Sequence, residues 1–343
     1  LACVLRSLAL LLLLGFALLA KGEALAQAPT ARQRGEPQVS TSHKAALVPA
    51  SLGFSAEKRS VVRSDSSAGL LPSMGGGEPR LPDLRLQRLV LAAAGLVAAN
   101  TAAYAHFHKV WWDHPRTRFH LYRGWRRTSG SYDLGFDDSL WHHVDKCGHL
   151  YSASLLSRYG AATARWVGLS ENQADWAGFA LASLLMLEIE LYDGFFAEWG
   201  FSLGDLLANE AGAAFPILQR RHPRLQRVNI KWSYHPSGDP CYGRYMVEDY
   251  AGMTFWLCLD AHLLLPQVVR RYWPDVVDVA VGYGTTDKIG GRKEVYLALD
   301  LDLRKVHFRS SVLRTVAETL NIVHMPAPTV RIHPRAGWHL LYL

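Results

Sequence analysis

Residues 141–167, WHHVDKCGHLYSASLLSRYGAATARWV, open polar and turn apolar over one helix length. Within them His142, Asp145 and His149 fall at i, i+3 and i+7, which predicts one shared helix face. Two more helix-length stretches follow. Asn172 to Phe196 carries an apolar centre from Trp176 to Leu187, and Ser202 to Leu218 begins at the capping pattern Ser202-Leu203-Gly204-Asp205. Gly204, Ala208 and Gly212 stand four apart, a small-residue stripe that lets a neighbouring helix approach closely. A compact helical bundle is the simplest product of these three segments.

Upstream, Arg6, an uncharged run from Leu8 to Ala20 and Ala24-Leu25-Ala26 read as a secretory signal over residues 1–26. Leu1-Ala2-Cys3 precedes the apolar run, whereas a lipoprotein box follows it, so anchorage is expected from the helices. Residues 27–83, rich in Ala, Ser, Pro, Gly and charge, predict a flexible linker. Leu89 to Phe107 are 19 residues without a formal charge, behind Arg80, Arg85 and Arg88 and ending in Tyr104, His106 and Phe107. That length and those flanks suit a membrane crossing, the alternative being a buried helix of a soluble domain. Residues 108–140, with Trp111-Trp112 and Trp125, read as a loop on a membrane or over a core.

Downstream, Arg220-Arg221-His222-Pro223-Arg224, Arg227 and Lys231 predict a basic connector, touching anionic headgroups or simply solvated. Met246 to Leu265 reads as one more apolar helix, broken by Asp249 and Asp260. Val277–Val281 and Val295–Leu303 alternate at period two and predict two strands, with the glycine-rich segment from Gly282 to Lys293 as the turn between them. Gly282-Tyr283-Gly284 lacks the Lys-Ser/Thr and following helix of a phosphate loop. The expected fold is therefore mainly α: a membrane-associated helical bundle over 84–265, with a small C-terminal antiparallel β element in 266–343.

A chain of 343 residues with 49% hydrophobic residues can bury a large core. Its 37 Lys plus Arg against 30 Asp plus Glu are a mild, dispersed surplus. With no zinc-finger spacing, P-loop or aromatic-basic motif, that excess does not argue for nucleic acid as a partner. Beyond the signal, Cys147, Cys241 and Cys258 allow at most one intramolecular bridge and match no metal knuckle.

Each of the three central helices presents a polar pair: Asp145 with His149, Glu190 with Asp193, and Asp205 with Asn209. Glu188, two residues from Glu190, should point elsewhere. If the faces converge in an apolar core, the carboxylates must be paired, metal-bound or protonated, because an isolated buried charge costs several kcal/mol or more. Two kinds of chemistry follow. Asp145, His149, Glu190 and Asp205 could ligate a divalent metal, or the six residues could do acid/base work with burial raising one carboxylate and Lys146 neutralising part of the charge. The bland alternative is a structural network in which Asp205 completes a helix cap and Asn209 satisfies backbone.

Trp141, Asp145-Lys146-Cys147-Gly148-His149, Glu190-Leu191-Tyr192-Asp193-Gly194 and Trp199-Gly200-Phe201-Ser202-Leu203-Gly204-Asp205, with Asn209 and Gly212, resemble the YfiM-like family of predicted periplasmic lipoproteins, a domain of unknown function. The tail, with Val281-Gly282-Tyr283-Gly284 and Leu297 to Leu303, fits its longer members. More distantly the chain resembles VanZ-like membrane proteins, with their Asp-Lys-x-x-His, Glu-x-x-Gln/Asp and Ser-x-x-Asp-x-x-x-Asn helices, although Asp193 stands where Gln is usual. The resemblance implies an envelope location and a shared polar core on Asp145, His149, Glu190, Asp205 and Asn209, and supplies no reaction.

Two functions are therefore expected of an exported bacterial envelope protein on the periplasmic side. One is a noncatalytic protein whose polar core fixes helix packing or binds a membrane lipid or envelope precursor. The other is a membrane-embedded hydrolase or transferase, metal-dependent or not, acting on a lipid-linked substrate. Four or five short spans are too few for a transporter.

Overall fold

The computed structural model describes residues 85–124, 134–136, 141–239, 245–287 and 290–342. The expected signal, the linker, Trp125 and Cys241 lie outside them. Helices α1 (Leu86–Val110), α2 (Val144–Val167), α3 (Glu171–Asp193) and α4 (Leu203–Arg221) come first. Strands β1 (Val228–Tyr234) and β2 (Met253–Leu259), short helix α5 (Gln267–Arg270), strands β3 (Val277–Thr285) and β4 (Lys293–Leu301), helix α6 (Ser311–Leu320), and strands β5 (Ala327–His333) and β6 (Gly337–Tyr342) complete the order.

Local chemistry sets the helix ends. Ser170 caps α3 in a reciprocal box with Gln173, and Ser202 accepts from the Asp205 N–H at the start of α4. The helices approach closely where side chains vanish. A Cβ on Gly178 would lie 2.3 Å from the Ser157 carbonyl of α2, and one on Gly212 would lie 2.1 Å from the Leu150 carbonyl. Only glycine fits either crossing.

The six strands form one antiparallel sheet in sequence order, β1 to β6. It curls, because Tyr342 on β6 packs 4.7 Å from Tyr296 on β4 and its hydroxyl lies 3.2 Å from Thr254 Oγ1 on β2. The concave face carries buried charge among apolar side chains. Lys231 Nζ sits 2.8 Å from Asp300 Oδ2, with both side chains fully buried, and donates to the Leu301 carbonyl and to Asn321. His324 stacks on Trp256 at 4.0 Å. On the convex face α2 covers β1 and β2, with Val144 and Tyr151 packed on Met253, Phe255, Ile230 and Trp232.

This corrects the expected fold class. The chain is not mainly α, nor a membrane helical bundle with a β appendage: helices and a six-stranded sheet share it, and the sheet begins at Val228, inside the stretch expected to be helical. Anchorage by a bundle of membrane helices falls with it. Among the described residues one helix, α1, is long and apolar enough to cross a membrane by length and composition.

Three local readings change for physical reasons. Met246–Leu265 contains β2 rather than a helix, because Met253 and Phe255 meet α2 while Trp256 and Cys258 fill the concave side, so both faces are apolar and no alternation shows. The basic connector ends in β1, where Lys231 is internal rather than solvated. Gly282 to Gly284 belong to β3, their missing side chains leaving room for Trp256 and the Met253 carbonyl, so the turn is shorter than expected. The two predicted strands themselves appear as β3 and β4. Cys147 and Cys258 are free thiols.

Candidate functional site

The polar cluster begins with an unusual entry into α2. Trp141, His142 and His143 hold φ of 54, 49 and 66°, a left-handed conformation costing roughly 1–2 kcal/mol per residue. The rest of the fold holds it there. Trp141 is buried against Tyr250 at 5.1 Å, the Tyr283 hydroxyl donates to the His142 carbonyl at 2.6 Å, and His142 Nε2 lies 2.9 Å from the Gly291 carbonyl. His142 thus faces the β3–β4 connection and not Asp145 and His149, so the expected i, i+3, i+7 face keeps only its last two members.

From the first turn of α2, Lys146 Nζ reaches Asp145 at 3.0 Å and Asp205 of α4 at 2.9 Å. One turn later His149 Nδ1 lies 3.0 Å from Asn209 Oδ1 and 3.5 Å from Glu190 Oε1 of α3. With the Asn209 carbonyl accepting, Nδ1 carries a proton. Glu190 is 1% exposed, and its Oε2 accepts from the Ser202 N–H at 3.3 Å. Ligand atoms of His149, Glu190 and Asp205 fall within 4.8 Å of one another. Asp145 Oδ1, Glu190 Oε1 and Asn209 Nδ2 are buried without a hydrogen-bond partner among the described residues.

Asp193 shares the Glu190 face by sequence but turns to Trp112, whose Nε1–H donates to it at 2.7 Å. Glu188 accepts from Asn100 of α1 at 3.1 Å. Trp112, in the segment read as a loop on a membrane or over a core, is 3% exposed and stacks on Tyr192.

The carboxyls differ in charge. Burial, then the neighbouring charges of Asp205 and Asp193, push Glu190 well above the usual carboxyl range. Burial raises Asp193 to about 7. Asp145 is also raised, by burial and then by Asp205, against the pull of Lys146. Burial opposes ionisation of Asp205 too, yet His149, Lys146 and the bonds from Lys146 and Ser202 outweigh it and hold that carboxyl low. A carboxyl pushed up beside one held low is the arrangement that acid/base chemistry uses.

The cluster opens into a cavity of about 610 Å³. Its floor holds Asp145, Lys146, His149, Asp193 and Asp205; its walls are largely apolar, including Leu96, Ala103 and Phe107 of α1, Leu155, Met186 and Phe255. Sequence reasoning missed the α1 wall, Tyr250 and Trp141. For α1 a signal existed, since Asn100 and Tyr104 interrupt its apolar run where it meets Glu188 and Tyr192.

Residues 135–221, which hold α2, α3, α4 and all six cluster residues, match the model of a family described as "Predicted periplasmic lipoprotein (DUF2279)". No curated protein and no solved structure matches the chain. Over the helices that build the cluster the chain is therefore similar to predicted periplasmic lipoproteins, which supports an exported, envelope-associated protein.

Proposed function

We propose that this envelope protein binds an amphiphile, a membrane lipid or envelope precursor, with its hydrocarbon chain in the cavity and its head on the cluster. The carrying observation is the continuity of an apolar-walled cavity of about 610 Å³ with a floor of largely buried polar groups, among them Asp145, whose Oδ1 lacks a hydrogen-bond partner among the described residues. Charge narrows the head. Asp205, held low, suits hydroxyl or amine donors, whereas Lys146 is already engaged by two carboxylates and is poorly placed to hold a bare anion. The VanZ-like plan of acidic and histidine helices agrees with this reading of a shared polar core.

The test is binding of a monoacylglycerol and of the fatty acid with the same chain. The monoacylglycerol should bind, and Ala103→Trp, which fills the cavity from α1, should abolish it. Equal binding in that variant would overturn the cavity as the site.

The grouping of His149, Glu190 and Asp205 favours a second reading, a divalent metal supporting hydrolysis or transfer on a lipid-linked substrate. A metal there must draw Asp205 away from Lys146. Elemental analysis of wild type beside His149→Ala, with melts before and after chelation, separates the two: stoichiometric metal lost in the variant favours the metal, and its absence in both leaves the metal-free cluster.

A further inference from the structure

The sheet exposes apolar side chains on one face. Its concave side is covered and mixed, with buried Lys231, Asp300 and Asp278 beside Trp256, Tyr296 and Ala298. Its convex side, beyond the part that α2 covers, carries Leu257, Val281, Leu297, Val330 and Trp338. Strand register places these five directly opposite one another, from β2 through β6. They are 41 to 66% exposed. At about 4.8 Å per strand the row runs roughly 19 Å. Leu301, Ile332 and Leu340 widen it.

Further exposed apolar side chains lie on the connections at one end of the sheet. Antiparallel pairing brings the end of β2, the start of β3 and the end of β4 together, and the connections leaving there carry α5 and α6. Val268, Tyr272, Val312, Leu313, Val316 and Leu320 on these connections are exposed. Among them stand exposed Arg270, Arg271, Arg309 and Arg314, against exposed Asp275 and Glu318. Apolar side chains mixed with a surplus of arginine complement an interface that is hydrocarbon below and anionic above.

We propose that the convex face of β2–β6, with α5 and α6, docks on a bilayer containing anionic lipid. A row of exposed apolar side chains across five strands is what a sheet facing lipid presents, and an apolar surface of this kind is rare on a protein that stays in water. This surface is separate from the cavity and from the expected membrane helices.

Vesicle co-sedimentation of the full chain tests it, comparing phosphatidylcholine vesicles with and without phosphatidylglycerol. Wild type should prefer the anionic vesicles and release in high salt. The double variant Leu297→Asp/Val330→Asp should bind at least about tenfold more weakly, with unchanged circular dichroism. Trp338→Ser, at the sheet edge, provides a milder variant whose binding should also fall. Segments outside the sheet are common to all three proteins, so the difference between them isolates this face. Ala103→Trp should bind vesicles like wild type, which keeps this result independent of the cavity. Undiminished binding in both sheet variants overturns the proposal. So does a wild-type dimer that the variants make monomeric with vesicle binding unchanged, since a second copy would then be what covers the face.

Discussion

Two regions of this chain bury charge, and they do it differently. In the sheet, Lys231 and Asp300 neutralise each other at 2.8 Å with both side chains fully covered, and His324 lies flat on Trp256; none of the three lines the cavity. Among the helices, Lys146, Asp145 and Asp205 stay 14 to 20% exposed and face the cavity, beside Glu190, whose Oε1 lacks a hydrogen-bond partner among the described residues. Burial alone does not distinguish structure from site. Access does.

The largest expected effect lies in the sheet. Lys231→Met strands Asp300 in a sealed interior and should cost about 3–5 kcal/mol in denaturant unfolding, most of it recovered in Lys231→Met/Asp300→Leu. Lys146→Met, beside the cavity, should cost about 1–3 kcal/mol. Equal losses would erase the contrast.

The pH dependence sharpens it. Folding favours neutral Asp193, raised from 3.8 to about 7, so its contribution is complete below pH 3.8 and lost as pH rises through about 7, up to about 4 kcal/mol. His324 runs the other way. Its burial lowers it from 6.5 to about 4, so its contribution is complete above pH 6.5 and lost as pH falls toward about 4, about 3 kcal/mol. Asp193→Asn should remove the loss that sets in as pH rises from 3.8 to about 7, and His324→Gln the loss as pH falls from 6.5 to about 4; unfolding curves at about pH 4, 5.5 and 7 check both.

A smaller effect tests the helical frame. Gly178→Ala places a methyl against the Ser157 carbonyl and should lower stability by about 1–3 kcal/mol, read as a shift in Tm.

The three central helices were legible because each buries one face beside one polar pair, and Ser170 and Ser202 mark two starts. Four of the six strands were not. In β2 both faces carry apolar side chains, so Met253 to Leu259 reads as an almost continuous apolar run. In β1 the inward residues Asn229, Lys231 and Ser233 are polar, so the alternation is inverted and looks like a solvated connector. The convergence of Glu190, His149 and Asp205 follows from helix spacing, but the α1 wall and the clamp on Trp141 and His142 depend on contacts from far along the chain, which no local pattern carries.

The most direct test measures monoacylglycerol affinity in Asp205→Asn and Asp300→Asn, each removing one buried carboxylate charge. Affinity should fall at least about tenfold in Asp205→Asn, while Asp300→Asn loses stability but binds like wild type when folded. Unchanged affinity in Asp205→Asn, or equal loss in both variants, would contradict the claim that the cavity-facing cluster is the site.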